Sequence, residues 1–443
     1  MSQLLELSAG ILDGTTDPDG TGPVNRINFQ LSSITDRVAL VEAFSHCVLF
    51  ETDDGLLGFD TSSVQGGERV VSAIRNWRQA PIHTLVYTHG HLDHVGGCGA
   101  FMESARAHGH ARPTLVGHEN IKPRMDRYHL TDGYNATINR RQFGQFSRRG
   151  YDITSDNAFL PNTAEAPDIT YRDKMTLDVG GLTVELNHEK GETDDHTWGW
   201  IPAHKAICSG DFFIWCFPNA GNPQKVQRYP MEWARALRDM ASKGAELLLP
   251  AHGLPIAGAD RIQLVLTDVA SALEYLVQET LQRMNEGAKL DDILQEVRLD
   301  PSILEKPYLR PTYDEPEFII RNIWRLYGGW YDGNPARLKP APDQVLAAEL
   351  ASLAGGTLAL AERASTLMTR DIRLACHLVE LAVQSDPLNQ AAHEIRAAIY
   401  QHRRNQETSL MAKGIYGAAA NESKAVISDD SAQTPAKAIT ARH

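Results

Sequence analysis

Short aliphatic runs separated by Asp- and Gly-rich turns fill residues 23–90, and this pattern predicts a meandering β-sheet. Between Glu68 and Arg78 the apolar residues recur at three and four positions, and Pro81 follows. That period predicts an amphipathic helix that ends before the proline. Residues 82–88 then have the composition of a strand. Sheet, helix and strand in this order indicate a layered α/β domain.

The pattern becomes mainly helical in the second half of the chain. Residues 175–208 are rich in predicted strands, and residues 233–243 have the spacing of a helix. Apolar residues repeat at three and four positions over residues 262–284, which predicts one long amphipathic helix. Further helices are expected in residues 343–405, where 371–405 resembles one antiparallel helix pair without a clear repeat.

A chain of 443 residues exceeds what one hydrophobic core usually supports, so we expect more than one domain. We place an α/β domain in residues 1–258 and an all-α domain in residues 259–420. Residues 118–167 are polar and weakly periodic, which indicates an insertion over the site or, alternatively, irregular solvated surface. Residues 421–443, rich in Ala, Ser, Thr and Lys, are expected to be a disordered tail.

Composition narrows the possible partners. The five cysteines are scattered and form no CxxC pair, which argues against a disulfide framework and a thiolate zinc site. The N-terminus does not read as a secretory signal, and no stretch has the length of a membrane span. We therefore expect a cytoplasmic protein with no membrane partner. A net charge of −13 disfavours nucleic acid, so a small molecule is the expected substrate.

Four candidate metal ligands follow the strand at residues 82–88 within six positions: His89, His91, Asp93 and His94. Two imidazoles that are two residues apart on extended backbone point the same way, and the other two ligands follow where a helix begins. Neutral imidazole and carboxylate suit zinc, with manganese and iron(II) as weaker competitors. A solvated polar loop is the alternative, but the preceding strand and the following Gly96-Gly97 favour a metal loop.

Two further donors follow predicted strands farther along the chain. Asp211 comes after an apolar run and a glycine turn, and His252 comes directly after the apolar residues 247–251. Either residue alone would more often be an ordinary loop residue. Together they supply donors that the first loop lacks, so we expect them to converge on it.

The motif THGHLDHVGG at residues 88–97 resembles the metallo-β-lactamase superfamily, and the resemblance covers about residues 25–258. It implies an αβ/βα sandwich with two bound metal ions. It assigns His89 and His91 to the first metal, Asp93, His94 and His252 to the second, and Asp211 to a bridging position. Asp60 would orient a ligand imidazole. Asp93 and Asp211 are also the candidate catalytic residues.

The third ligand of the first metal departs from the lactamase pattern, because the chain has no TPGH turn. The class III alkylsulfatases have a glutamate there, nineteen residues before the bridging acid, as Glu192 lies before Asp211. The resemblance therefore implies Glu192 as a metal ligand, with His188 and His196 as open alternatives. Those sulfatases bridge with a glutamate, so Asp211 is a second departure.

Residues 323–335, rich in aromatics and ending in Gly-Asn-Pro, are similar with the following helices to the dimerisation domain of the alkylsulfatases. The resemblance implies a homodimer. Without it, the aromatic residues would be read as core and the Gly-Asn-Pro as a turn.

The leading hypothesis is an alkylsulfatase-like hydrolase that uses two Zn²⁺ ions, or Mn²⁺ or Fe²⁺, and a bridging hydroxide to hydrolyse a sulfate ester. Candidate substrate-binding residues are Asn219, Asn222, Lys225 and Arg228. A polar surface loop is the alternative for these four, because the arginine of the sulfatase pattern falls at Gln224 here. Other hypotheses are hydrolysis of a carboxyl ester, lactone or phosphoester at the same metals, or a dimeric scaffold with a vestigial site.

Overall fold

The computed structural model describes residues 2–143 and 158–428. By their internal contacts these residues form two compact units. The first unit comprises residues 2–137 and 158–330, and the second comprises residues 138–143 and 331–428. All candidate metal ligands lie in the first unit.

A seven-stranded sheet forms one layer of the first unit. Its strands are β1 (Leu31–Thr35), β2 (Val38–Val41), β3 (Cys47–Thr52), β4 (Gly55–Phe59), β5 (Ile82–Val86), β6 (Thr114–His118) and β7 (Ile169–Tyr171). They lie in sequence order, antiparallel from β1 to β4 and parallel from β4 to β7. The predicted meander and the predicted strand after Pro81 are both part of this sheet.

A six-stranded sheet forms the second layer. Its strands are β8 (Lys174–Val179), β9 (Leu182–His188), β10 (Thr197–Ile201), β11 (Ala206–Gly210), β12 (Leu247–Pro250) and β13 (Ile256–Ala257). The order is β13-β12-β11-β10-β9-β8, and only β11 and β12 pair in parallel. The strand-rich stretch expected at residues 175–208 accounts for four of these six strands.

Alternate side chains of the first sheet enter different cores, as the two-residue period of a strand requires. Leu40 and Phe50 join Leu186 of the second sheet in the core between the layers. Their neighbours Val41 and Leu49 face the other way, into a core shared with the helices that cover the first sheet. Both faces of the sheet are therefore buried, and the expected α/β class is confirmed.

The helices of the first unit cover the outer faces of the two sheets. They are α1 (Gln3–Leu12), α2 (Gly67–Trp77), α3 (Leu92–Val95), α4 (Cys98–Ala107), α5 (Ile121–Leu130), α6 (Asp132–Phe143), α7 (Pro230–Ser242), α8 (Ala259–Asn285), α9 (Leu290–Glu296), α10 (Pro301–Glu305) and α11 (Pro316–Gly328). Helix α6 begins in the first unit and ends in the second. The amphipathic helices predicted before Pro81, at residues 233–243 and at 262–284 correspond to α2, α7 and α8.

The described part of the second unit is helical. Its helices are α12 (Asp343–Ala354), α13 (Thr357–Leu367), α14 (Ile372–Ser385), α15 (Gln390–Gln406) and α16 (Leu410–Ile427). Side chains of Asp371 and Asn389 cap α14 and α15 by accepting from the backbone N–H of the third residue of each helix. The helix pair predicted at residues 371–405 is therefore present as α14 and α15.

The observed divisions differ from the expected ones in two places. The compact units separate at residue 330, whereas the sequence places a boundary at 258, because Val265, Leu273 and Ile319 share the core of the first unit. The expected domain bounds remain a prediction. Helix α16 continues to Ile427, which corrects the expected start of the tail at residue 421. Residues 429–443, and residues 144–157 of the expected insertion, lie outside the described residues.

Among the described residues, no single helix is both long and apolar enough to cross a bilayer. Helices α12 and α13 meet that test only when taken together, and the chain bends by 83° between them.

Candidate metal centre

The candidate ligands lie just past the carboxyl ends of strands from both sheets. Asp60 follows β4 and the loop of residues 88–94 follows β5, its parallel neighbour. Asp211 follows β11 and His252 follows β12, which are also parallel neighbours. Glu192 lies in the connection between β9 and β10. Parallel strands end at the same edge of a sheet, so donors far apart in the sequence meet at one place.

The structure brings all seven sequence-assigned ligands together. They form three overlapping groups, and within each group the ligand atoms lie within 4.8 Å of one another. We name them the glutamate group (His89, His91, Glu192), the aspartate group (Asp93, His94, His252) and the bridging group (His89, His94, Asp211). The bridging group shares one histidine with each of the others, which is the arrangement expected of two adjacent cation sites.

Distances between donor atoms match those around a tetrahedral cation. His91 Nδ1 lies 3.5 Å from Glu192 Oε1, and His94 Nε2 lies 3.5 Å from Asp211 Oδ2. Ligands about 2.0–2.1 Å from a tetrahedral zinc are about 3.3–3.4 Å apart. His89 Nε2 and His91 Nδ1 are closer, at the hydrogen-bonding distance of 2.8 Å, so this pair would separate slightly around a cation.

Two donor atoms at the centre need a partner. His94 Nε2 and Asp211 Oδ1 are buried and have no hydrogen-bond partner among the described residues. A buried polar atom without a partner costs about 1–3 kcal/mol. A divalent cation would satisfy both atoms, so the residues fit the metal that the sequence implies.

The charges around the centre also fit a cation. Burial opposes protonation of His94, but the carboxylates of Asp211, Asp60 and Asp93 outweigh it and raise the pKa of His94 well above its usual value. Asp211 and Asp93 likewise overcome burial and raise the pKa of His252 to about 10. This part of the site therefore carries excess negative charge that a metal ion can neutralise.

Asp60 binds the side of the His94 ring that faces away from the centre. Its Oδ2 lies 2.8 Å from His94 Nδ1, and its Oδ1 accepts a hydrogen bond from the Thr88 backbone at 2.7 Å. With Nδ1 bound to a carboxylate, His94 presents Nε2 to the centre. This geometry suits the orienting role expected for Asp60.

The three candidates for the third ligand of the first metal occupy different positions. Glu192 alone joins a ligand group with His89 and His91. His196 Nε2 accepts from the Asp211 backbone N–H at 3.1 Å, and its ring lies against the ring of His89. His188 Nδ1 contacts the His196 carbonyl at 2.8 Å. The geometry favours Glu192, with the two histidines in supporting positions.

Two of the candidate substrate-binding residues contact Glu192. Asn219 Nδ2 donates to Glu192 Oε1, and Arg228 Nη2 lies 3.3 Å from the same oxygen. Asn222 is buried beside Asn219. Burial and Arg228 lower the pKa of Lys225 to about 7, while Glu192 and Asp93 oppose that shift. The four residues thus border the glutamate group, where Asn219 and Arg228 also contact the candidate ligand Glu192.

Sequence reasoning missed four residues that support the site. Asp195 accepts from Gly90 N at 2.9 Å, and Arg124 Nε donates to Asp195 at 3.0 Å. His46 Nε2 contacts the carbonyl of Gly253, next to His252, at 2.9 Å. Asp314 accepts from the backbone of Gly221 and Asn222 at 2.6 and 3.0 Å. Two signals were present in the sequence: Asp195 is adjacent to the histidine candidate His196, and Arg124 lies in the insertion expected over the site.

Comparison with known families agrees with this architecture. Residues 40–252 match the metallo-beta-lactamase superfamily, and residues 289–425 match the alkyl sulfatase dimerisation family. The described site therefore lies in a metallo-β-lactamase superfamily domain. The chain carries this domain followed by an alkylsulfatase dimerisation domain.

Curated relatives match most of this chain. A linear primary-alkylsulfatase from a Pseudomonas species is 27% identical over 374 residues, which cover 80% of this chain and 69% of the relative. An (R)-specific secondary-alkylsulfatase from Pseudomonas sp. is 24% identical over 85% of this chain and 60% of its own length. The chain thus spans about three fifths to two thirds of these relatives.

A solved structure shows the same fold. The stereoselective inverting sec-alkylsulfatase Pisa1 from Pseudomonas sp. superposes with a TM-score of 0.80 at 22% identity. The match covers 90% of this chain and 66% of that protein.

Proposed function

We propose that this protein is a metal-dependent hydrolase that cleaves sulfate esters of small alcohols. The observation that carries the proposal is the convergence of seven donors into three overlapping groups, in a chain that pairs this domain with an alkylsulfatase dimerisation domain. The names of the relatives supply the substrate class. Donors left unpaired in the core would destabilise a vestigial scaffold, so the intact site supports an enzyme.

We propose two Zn²⁺ ions as the cofactor, one at the glutamate group and one at the aspartate group, with Mn²⁺ or Fe²⁺ as substitutes. When bound, the ions would make a water molecule acidic enough to attack near neutral pH and would stabilise negative charge on the ester oxygens.

The chain's own carboxylates complete the proposed reaction. Asp211 lies 3.5 Å from His94 and His252 of the aspartate group and 3.9 Å from His89 of the glutamate group, so its side chain can connect the two sites. The Asp93 side chain is 23% exposed, against 7% for Asp211. Asp93 is therefore the better placed of the two to meet the attacking water and accept its hydrogen bond.

The sulfate head group would bind beside Glu192. Lys225 and Arg228 provide positive charge there, and Asn222 adds an amide donor. We propose that Lys225, Asn222 and Arg228 together contact the sulfonate oxygens, because each lies beside Glu192 or beside its partner Asn219. A lysine binds such a group as a point charge rather than through the two parallel bonds of an arginine.

Sulfate release from a series of alkyl sulfates by zinc-loaded protein tests the proposal. We expect turnover of at least one alkyl sulfate and little turnover of chromogenic carboxyl esters, lactones and phosphoesters. Metal content is measured on the same preparation. Fully loaded protein that releases no sulfate but hydrolyses one of the other esters would assign the site to that ester.

The bond that breaks can be determined in ¹⁸O-labelled water. One of the solved relatives is named as inverting, and inversion at carbon requires attack on carbon. We therefore expect the label in the alcohol. Label in the released sulfate would instead show cleavage between sulfur and oxygen.

We further propose a homodimer formed through the second unit. Val345, Leu346 and Leu353 are 60%, 50% and 77% exposed and lie on one face of α12 at spacings of seven and eight residues. An exposed apolar helix face marks an interaction surface. Leu353→Glu should give a monomer in size-exclusion chromatography with light scattering. Leu130→Glu, at an 86% exposed leucine of α5, should leave the dimer intact.

A cytoplasmic location is also a proposal. It is supported by five cysteines that are all free in the structure, as in a reducing compartment.

A further inference from the structure

The turn between the first two histidines depends on one buried hydrogen bond. Gly90 lies between His89 and His91, and its backbone N–H donates to Asp195 Oδ2 at 2.9 Å. Asp195 is fully buried, and it is 105 residues away in the chain. The bond therefore ties the metal loop after β5 to the loop before β10, which also contains Glu192.

A buried arginine fixes Asp195 in turn. Arg124 Nε donates to Asp195 Oδ1 at 3.0 Å, and Arg124 Nη2 donates to the neighbouring Asp194. The Arg124 side chain is 2% exposed. With one oxygen bound to Arg124 and the other to Gly90, the Asp195 carboxylate has a single orientation. Arg124 comes from α5, so three separate segments meet at this point.

The contact leaves no free space at Gly90. A Cβ atom at this position would lie 2.9 Å from both Arg124 Cδ and Asp195 Oδ2, closer than real Cβ contacts allow. The residues that follow Asp195 also hold the centre: His196 accepts from the Asp211 backbone, and the Thr197 N–H donates to the Thr88 carbonyl at 2.7 Å. One short segment thus fixes the backbone on both sides of the site.

We propose that Asp195 and Arg124 are positioning residues that hold the His89–His91 turn in the geometry the glutamate group needs to bind its cation. This rests on the proposed function. Outer partners that orient metal ligands affect metal affinity by about 10–100-fold. If this buried ion pair had a purely structural role, its loss would instead lower the stability of the whole fold and would affect the binding of both cations alike. Because Asp195 bonds to the backbone between two members of the glutamate group, the effect should be selective for that group.

Competition with a chromogenic chelator for zinc tests this selectivity in the full-length protein. Asp195→Asn can still accept from Gly90 but presents an amide where Arg124 needs a carboxylate. We expect Asp195→Asn to weaken zinc binding at the glutamate group at least tenfold, in line with the size of outer-partner effects. Zinc affinity at the aspartate group should change less than threefold. Arg124→Met should do the same, and Arg124→Lys, which keeps the charge, should recover part of the affinity.

Two controls separate positioning from stability. Glu165→Gln removes a partner of Arg112 in an exposed ion pair and should change neither zinc affinity nor Tm appreciably. Val265→Ala creates a cavity in the core at α8 and should lower Tm while leaving both zinc affinities within twofold. The electronic spectrum of the Co²⁺-substituted protein gives a second readout, since Asp195→Asn should alter the bands of one cobalt ion only.

The proposal is overturned if folded Asp195→Asn and Arg124→Lys proteins release both zinc ions at the same chelator concentration as the unsubstituted protein. It is also overturned if both ions weaken equally and in step with Tm. If Asp195→Asn does not fold, Arg124→Lys decides on the same criteria, because it keeps both the carboxylate and the positive charge. An unsubstituted protein that binds no divalent cation at all would instead refute the proposed function.

Discussion

The glutamate group and the aspartate group of the metal centre differ in the charges around them. In the glutamate group the single carboxylate, Glu192, lies 3.3 Å from the guanidinium of Arg228. Among the described residues, the ion pairs of Asp60, Asp93 and Asp211 are all with histidines. The aspartate side of the centre is therefore rich in uncompensated negative charge, whereas the glutamate side is almost neutral.

The pKa values of the histidines follow this difference. Burial, together with Arg228 and Arg124, lowers the pKa of His91 well below its usual value. Carboxylates outweigh burial at His252 and raise its pKa to about 10. A divalent cation is attracted more strongly where negative charge is uncompensated. We therefore expect the aspartate group to bind its ion first and to release it last.

The largest expected effect comes from His94→Ala, because His94 belongs to both the aspartate and the bridging groups. The substitution should remove the tighter ion and lower the rate of sulfate release by at least about 1,000-fold, since a catalytic metal contributes several kcal/mol. Elemental analysis and initial rates measure the two effects.

His91→Ala is the matched control, because His91 belongs to the glutamate group alone. It should retain about one equivalent of metal after desalting, while His94→Ala retains less. Equal metal content in the two variants would contradict the order of binding.

The second effect concerns Glu192→Gln, which removes the only carboxylate of the glutamate group. Two neutral imidazoles and an amide would then face Arg228, so zinc affinity at this group should fall by more than about 100-fold, beyond the roughly 10–100-fold loss expected when only an outer partner of a ligand is changed. In a chelator titration, zinc release from the glutamate group should move to lower chelator concentration (the early phase), and release from the aspartate group should not move (the late phase). A shift of the late phase would show that the two groups are not independent.

Much of the centre was predictable because its donors follow local rules. Four ligands lie within six residues after a strand, and Asp211 and His252 each follow an apolar strand. Such positions can be read from hydrophobic pattern and residue type alone. The convergence of these segments then depends on the parallel pairing of β4 with β5 and of β11 with β12.

The supporting residues were not predictable, because their contacts join residues far apart in the sequence and follow no local pattern. Gly90 and Asp195 are 105 residues apart, and Gly221 and Asp314 are 93 apart, with no periodic pattern near either acid. The division of the compact units after α11 is not visible in the sequence for a related reason. An amphipathic helix shows in its sequence that one face is buried, but not which core buries it.

The third effect tests the aspartate group through Asp60. Asp60→Asn keeps the shape of the contact with His94 Nδ1 but removes its charge. Zinc affinity of the aspartate group should fall about 10-fold, while that of the glutamate group stays unchanged. Asp195→Asn is expected to do the opposite, because it should weaken zinc binding at the glutamate group and leave the aspartate group almost unchanged. Measuring both variants in one chelator series shows whether each group has its own supporting carboxylate, and a loss of the same ion in both would exclude that.

The smallest expected effect on zinc affinity concerns the loop beside the glutamate group, whose contribution to stability depends on pH. Asp314 accepts from Gly221 and Asn222, in the loop whose Asn219 side chain donates to Glu192. Burial raises the pKa of Asp314 to about 6, although those backbone N–H groups oppose the shift. The folded protein therefore holds this proton more tightly than the unfolded chain does. The stabilisation is fully present below about pH 4 and is lost as the pH rises through about 6.

Asp314→Asn removes this titration, so the two proteins should differ in the pH dependence of their stability. Between pH 4 and pH 6.5 the free energy of unfolding of the unsubstituted protein should fall, relative to the variant, by up to about 3 kcal/mol at about 1.4 kcal/mol per pKa unit. Urea unfolding of both proteins in metal-free form at pH 4.5, 5.5 and 6.5 measures the difference without a contribution from metal loss. Among the described residues this loop hydrogen-bonds to the candidate ligand Glu192, so zinc affinity of the glutamate group should change with Asp314→Asn by a few-fold and that of the aspartate group should change less. If the stability difference between the two proteins does not change with pH, Asp314 stays ionised throughout. If zinc affinity changes equally at both groups, this loop does not contribute to the difference between them.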